Sequence, residues 1–395
     1  MDGRSIGVRV RSARLGRGLT LETVAGLAGH SKSWLSKVER GLLPLESRHD
    51  LAALATALSV SPTDLTGQPY DLPTESVGGA ARDAIPALRR ALLDRPVGGR
   101  RELAELRDGI DQLVTLHDAA KESPAVGVVA TVLNGLRASV GGRDHREVAH
   151  LTVLASYHAT WILQAVSRHD LAFIVTGVMD RAAADAEDPV TTALAAITRS
   201  YSLAQVAVGA YGAAVDVASD AADAISAVGG AEAAAALGHL QLAAGFASAA
   251  LRNDDEAATC LHVAWEQAGR VTEPTLFGRH LGFGAANVRL HQVAVCVELG
   301  QAELAVQAST DLEVDRAPNR ERAACWLADL GRAHAALEQD AEAVRAFRRA
   351  EAIAPLRTRL HPLVREAVAG MVGRAQRAAV GRDLRGLAHR MGMPH

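Results

Sequence analysis

Lysine, aromatic residues and cysteine are all scarce in this chain of 395 residues, and each shortage closes off a class of protein. Of 42 basic side chains only Lys32, Lys37 and Lys121 are lysine, an arginine excess that reads as coding bias rather than a site. Four Trp, four Tyr and five Phe are too few for an extensive β architecture, which draws on aromatic and β-branched residues. The cysteines, Cys260, Cys296 and Cys325, are odd in number and never in CxxC spacing. They build neither a disulfide framework nor a zinc site and read as small buried hydrophobes. The opening MDGRSIGVRVR has no apolar signal region, so a cytoplasmic location is expected. The motifs HExxH, GxxxxGKS/T and GxSxG do not occur. GFGAAN at 282–287 lacks a third glycine and a preceding strand, and His145 and His150 stand five apart, wrong for two ligands on one helical face. Asp254 and Asp255 read as a solvated helix cap. No enzyme, metal or cofactor is expected.

What is abundant is alanine, 79 residues, the best helix former and small enough for close helix crossings. An almost all-helical protein follows. Its length allows two or three domains, or one small domain with a repeat array. The net charge of −3 conceals a basic head: residues 1–60 hold nine basic and five acidic side chains, the rest 33 and 40. A basic head on an acidic body gives the head alone an anionic partner.

The head reads as five short helices: Arg4 to Arg17, Leu21 to Ala28 capped by Thr20, a third opened by Ser31 and ended at Gly41, Ser47 to Leu58, and a short fifth at Ser61-Pro62. Gly29 supplies the left-handed turn between the second and third. Two short helices around such a turn form a helix-turn-helix, whose second helix enters the major groove. In SKSWLSKVERG, Leu35 and Val38 face the core, leaving Lys32, Ser33, Ser36, Lys37 and Arg40 on the opposite face. Lysine donates to guanine, serine to a base edge or phosphate, and Arg40 suits a phosphate. Trp34 fits either the core edge or the DNA backbone.

GLTLETVAGLAGHSKSWLSKVERG followed by LESRHDLAALATALSVSPTDL resembles the XRE-type (lambdoid repressor and Cro) helix-turn-helix domain. The resemblance implies base contacts from Lys32, Ser33 and Lys37, a phosphate contact from Arg40, and an ion pair between Arg14 and Glu39. Leu21 stands where the family often has a phosphate-touching Gln, so that contact falls to Thr20. Ser31, at the start of the recognition helix, completes the candidate DNA contacts.

Residues 67–80, rich in Gly, Pro, Ser and Thr, read as a linker between this domain (1–66) and a body over 81–395. In the body, residues 324–355 place Leu327, Leu330, Gly331, Ala343, Phe347, Ala350 and Pro355 at the offsets of the 34-residue tetratricopeptide (TPR) pattern, with His334 in place of the usual Tyr. Units at 238–269 and roughly 286–315 resemble it more loosely, and 157–182 only in helix length. The first of these absorbs Ala233 to Leu251, 19 residues without Asp, Glu, Lys or Arg that otherwise raise a membrane span. The expected fold is all-α, a five-helix helix-turn-helix domain followed by a TPR-like α-solenoid. Such arrays bind extended ligands on a concave face. Asn287 and His291, four apart, with His239, Phe246 and Arg332, are its candidate ligand contacts. Tyr157, Trp161 and Gln164 read as core, and the Gly-rich TLFGRHLGFGAAN as a binding loop.

The combination resembles one-chain transcriptional regulators. It implies a homodimer on a double-stranded operator, with a signalling peptide or small molecule as ligand and no membrane. A TPR adaptor that uses the head for weak anchoring is the alternative.

Overall fold

The computed structural model describes residues 6–71, 76–142, 144–375 and 381–393. Among them the regular structure is entirely helical, with α1 Ile6–Gly16, α2 Leu21–Leu27, α3 Lys32–Glu39, α4 Arg48–Ala57 and α5 Pro62–Thr66 forming the head. Their starts are set by side chains: Thr20, Ser31, Ser47 and Ser61 each accept a backbone N–H of the helix they open, and Ser61 with Asp64 closes a full capping box. Val10, Val24, Leu35, Val38, Leu51, Leu54, Leu58 and Leu65 make the head's core.

The body opens with α6 Ser76–Leu93, α7 Leu103–Asp118 and α8 Glu122–Ser139. Helix pairs follow: α9 His145–Ala165 with α10 His169–Ala186, α11 Pro189–Leu203 with α12 Tyr211–Ser226, and α13 Ala231–Ala250 with α14 Asp254–Arg270. After α15 Leu276–Leu281 come α16 Ala285–Glu298 with α17 Ala302–Ala308, α18 Arg320–Ala336 with α19 Asp340–Ile353, then α20 Pro355–Leu360, and α21 Pro362–Ala375 with α22 Arg382–Arg390. The first helix of each pair packs on the first helix of the next, so α9, α11, α13, α16, α18 and α21 form a continuous inner row. Small residues set the crossings. A Cβ on Gly331 of α18 would lie 2.5 Å from the Phe347 ring of α19, and one on Gly245 of α13 would lie 2.9 Å from Cys260 Cβ of α14. Helix α13 is long and apolar enough to cross a membrane, but 78% of its apolar window is buried inside the body.

Two features depart from a head on a free linker beside an open groove. The row closes on itself: α20 packs against α6, α8 and α9, and its Leu356 and Leu360 belong to the core those helices share. The head is docked as well. Val206 and Leu363 of the body enter its core, and Glu366 of α21 accepts the Leu45 N–H at 3.2 Å. Arg332 donates to Glu46 O at 3.1 Å, and Gln68 Nε2 donates to His169 Nε2 at 3.1 Å. Of the expected linker, residues 67–71 run against the body and α6 begins at Ser76; residues 72–75 lie outside the described residues.

Candidate nucleic-acid interface

Helices α2 and α3 are joined by a turn in which Gly29 takes φ +75° and His30 N–H reaches back to Ala25 O at 2.8 Å. A side chain at that φ is strained, which is why glycine stands there. Ser31 Oγ then accepts the Trp34 N–H at 3.2 Å and starts α3. Leu35 and Val38 are fully buried, so the opposite face is forced outward: Lys32, Ser33, Lys37 and Arg40 are exposed and Ser36 half-buried. The structure therefore brings the α3 candidates onto one surface. Arg40 Nε donates to Ser36 O at 3.1 Å, which steadies the side chain and leaves its two Nη groups for a phosphate. Exposed Thr20 Oγ1 accepts the Thr23 N–H at 3.1 Å and pairs with Thr23 Oγ1 at 2.9 Å. It sits at the start of α2, one residue before half-buried Leu21.

The tilt of α3 is fixed from both ends. Arg14 of α1 grips Glu39 through two parallel bonds, Nε to Oε1 at 2.6 Å and Nη2 to Oε2 at 2.8 Å, and also donates to Leu19 O at 2.9 Å. The Glu39 hydrogen bond is the main reason the Arg14 guanidinium is raised further above its ordinary value. At the other end Trp34 stacks on His30, centroids 3.7 Å apart and planes within 7°, while His30 Nε2 bonds Asp50 Oδ1 of α4 at 2.9 Å. Trp34 thus packs at the half-buried edge of the domain. The His30 and Asp50 contacts were not anticipated; the aromatic pair at i, i+4 was the available signal.

The body candidates lie inside the closed row. Asn287 is fully buried; its Nδ2 donates to Leu281 O at 3.4 Å and its Oδ1 accepts Arg322 Nε at 3.2 Å. His291 donates from Nδ1 to Asn287 O at 2.9 Å, so Nε2 accepts the Tyr201 hydroxyl at 2.8 Å. Burial, then the charge of Arg322, keeps His291 neutral with its pKa well below the usual value. His239 packs edge-on to Tyr201 and His291, and burial holds it at about 3. Arg332 is spent on the docking seam, bonding Glu298 at 2.8 Å and Asp329 at 3.0 Å as well as Glu46 O. Phe246 carries the Arg48 guanidinium 5.2 Å above its ring. The Gly-rich segment is no open loop: Phe277, Leu281 and Phe283 are buried, and Phe283 sits against Gly238.

Of these side chains, Phe246 and His291 line a chamber of about 110 Å³, beside Arg48, Trp161, Tyr201, Arg322 and Arg357. It has room for a small molecule and none for a strand of peptide, because α20 shuts the face on which an extended ligand was expected. Tyr157 and Gln164 are core, whereas Trp161 is only half-buried and faces this space. Arg48, Arg322 and Arg357 escaped sequence reading, since arginine is everywhere in the chain and only tertiary folding gathers these three. Among the described residues, no group of His, Cys, Asp and Glu has the arrangement of a metal site.

Residues 5–66 match the family model described as a helix-turn-helix domain. No curated protein and no solved structure matches the chain significantly. The matched segment spans α1 to α5 and includes every candidate DNA contact, and it supports a helix-turn-helix DNA-binding domain over the head.

Proposed function

We propose that this protein is a sequence-specific transcriptional regulator of the XRE type that binds its operator as a cytoplasmic homodimer. A TPR-like body senses a signal and adjusts that binding. One observation carries the reading: inside a segment that matches a helix-turn-helix model, Lys32, Ser33, Lys37 and Arg40 stand together on the exposed face of α3, which Arg14–Glu39 and His30–Asp50 hold in place. A single such helix makes few base contacts, so two heads on half-sites about one helical turn apart are required for specificity. The TPR-like assignment is supported by the helix pairs and by the small-on-large crossing of Gly331 with Phe347.

Fluorescence anisotropy with duplex DNA from the region upstream of the coding sequence tests the reading. Lys37→Ala should weaken binding by about 1–3 kcal/mol and relax sequence preference. Arg40→Ala should weaken all sequences alike and lower the salt slope by about one. A monomer that retards no upstream fragment, or affinities unmoved by both substitutions, would rule the regulator out; partner capture that survives them favours the adaptor reading.

A further inference from the structure

The wall of the chamber at the centre of the closed row carries three arginines, Arg48, Arg322 and Arg357, and one acid, Asp329. Behind it stand Arg332, Glu298 and Glu321, and further acids, Glu46 and Glu122, whose carboxyls burial raises to about 7. Three of these acids are already engaged. Glu298 lies 3.1 Å from Arg48 Nε and 2.8 Å from Arg332, Glu321 lies 3.0 Å from Arg357, and Asp329 is 3.0 Å from Arg332. Arg322 touches only neutral groups, the Asn287 side-chain oxygen and the His291 ring, while the Glu321 carboxylate, outside hydrogen-bond reach, helps hold its guanidinium above the ordinary value. A half-buried guanidinium with no carboxylate in contact can still take an anion directly.

A second observation points into the same space. Arg48 is only 7% exposed, yet its Nη1 has no hydrogen-bond partner, and its Nε, though within ion-pair distance of Glu298, is not aligned for a hydrogen bond. Trp161 Nε1 and Arg357 Nε are buried and unpartnered too. Arg48, Trp161 and Arg357 all line the chamber, together with the apolar surfaces of Phe246 and Trp326. Buried donors without acceptors mark a place where an acceptor belongs. The space is somewhat smaller than a 150 Å³ cavity that takes benzene, which limits the occupant to about six non-hydrogen atoms.

We propose that the chamber binds a small organic monocarboxylate, its carboxylate held by Arg322 and Arg48 and its apolar body lying between Trp161 and Phe246. This rests on the reading of the body as a sensor and supplies its ligand class. It also supplies the link to DNA. Arg48 is the first residue of α4, two helices from the turn of the head, so a carboxylate that draws on Arg48 competes with Glu298 for the contact that docks the head.

The test uses the full-length protein and two probes, sodium butanoate and sodium 2-methylpropanoate, read by calorimetry and by tryptophan emission in a Trp34→Phe, Trp265→Phe background that keeps Trp161 and Trp326. The uncharged 2-methylpropanamide and inorganic phosphate are the controls. A carboxylate should bind where the amide of the same size does not, and Arg322→Gln should weaken it roughly tenfold to hundredfold, the value of a charge-assisted bond. Arg322→Lys should recover part of the loss. Ala294→Leu, which fills the chamber without touching a charge, should block binding while leaving the helical circular dichroism unchanged. No binding of either carboxylate at about 10 mM, where a site with a Kd of about 1 mM would be about nine-tenths filled, overturns the proposal. So does tighter binding of phosphate, or equal affinity in Ala294→Leu. Retardation of upstream DNA, assayed in parallel, separates the two readings: intact DNA binding without carboxylate binding removes only this proposal, and carboxylate binding without DNA binding removes only the regulator.

Discussion

Removing the Glu39 carboxylate strands a guanidinium that is only 8% exposed. Arg14 would keep its bond to Leu19 O but lose both bonds that neutralise it. Breaking one half of a buried pair costs about 3–5 kcal/mol, a large share of the 5–15 kcal/mol that holds a typical domain folded. Glu39→Ala is therefore expected to open the head selectively: amide exchange in α1 to α3 should accelerate while α13 stays protected, and DNA binding should fall with it. Unchanged protection in α3 would contradict the role given to the pair. Exposed pairs differ in kind. Arg107 and Glu147 are 53% and 40% exposed at 2.8 Å, where an ion pair contributes about 0–1 kcal/mol, so Glu147→Ala should leave Tm within error.

At the scale of helices, the crossing of α18 and α19 shows which features a linear pattern can carry. A methyl group on Gly331 would meet Phe347 at 2.5 Å, so Gly331→Ala must push the ring aside or part the helices. Overpacking of this kind costs about 1–3 kcal/mol. The urea midpoint should drop with m unchanged, and Phe347→Leu in the same chain should return part of the loss, because a smaller partner frees the space. Equal stability of Gly331→Ala and the parent would show that the contact is slack. This crossing was legible because its cause lies within one helix pair, a small residue on one helix and a large one on the other. The head was legible for the same reason. Thr20, Ser31, Ser47 and Ser61 act on backbone groups two or three residues away, and Gly29 acts on its own φ. The units before residue 238 gave only helix lengths, since alanine and valine crossings there carry no distinctive large residue.

Legibility ends where the chain returns upon itself. Leu45 and Glu366 meet across 321 positions and Glu46 and Arg332 across 286, distances no periodicity reaches, so the docked head and the closed chamber came from the fold alone. That closure has a consequence for pH, because it buries two sets of titratable groups with opposite signs. Burial holds His117, His280 and, beside Gln68, His169 at about 4 and His239 at about 3, and keeps His158, His291 and His361 well below the ordinary 6.5. Each contributes stability that is complete above 6.5 and is lost as pH falls toward 4, since the unfolded imidazole takes the proton first. Glu122 and Asp118, raised by burial to about 7 and about 6, and Asp329, raised too, offset part of this, but seven imidazoles outweigh three carboxylates. Around Glu46 the sign reverses. Burial raises Glu46 to about 7, with Arg332 and Arg374 opposing and Glu366 and Asp340 reinforcing the shift. Docking then favours the protonated carboxyl and weakens as pH rises from about 4.5 through 7. Between pH 7.5 and 5.5 the body should lose stability while the contact around Glu46 tightens. Amide exchange, corrected for its intrinsic pH dependence, should show residues 45–50 gaining protection over that range as Tm falls. Glu46→Gln should abolish the first change and leave the second intact, and protection at 45–50 that falls together with Tm would refute the opposite signs assigned to Glu46 and the body.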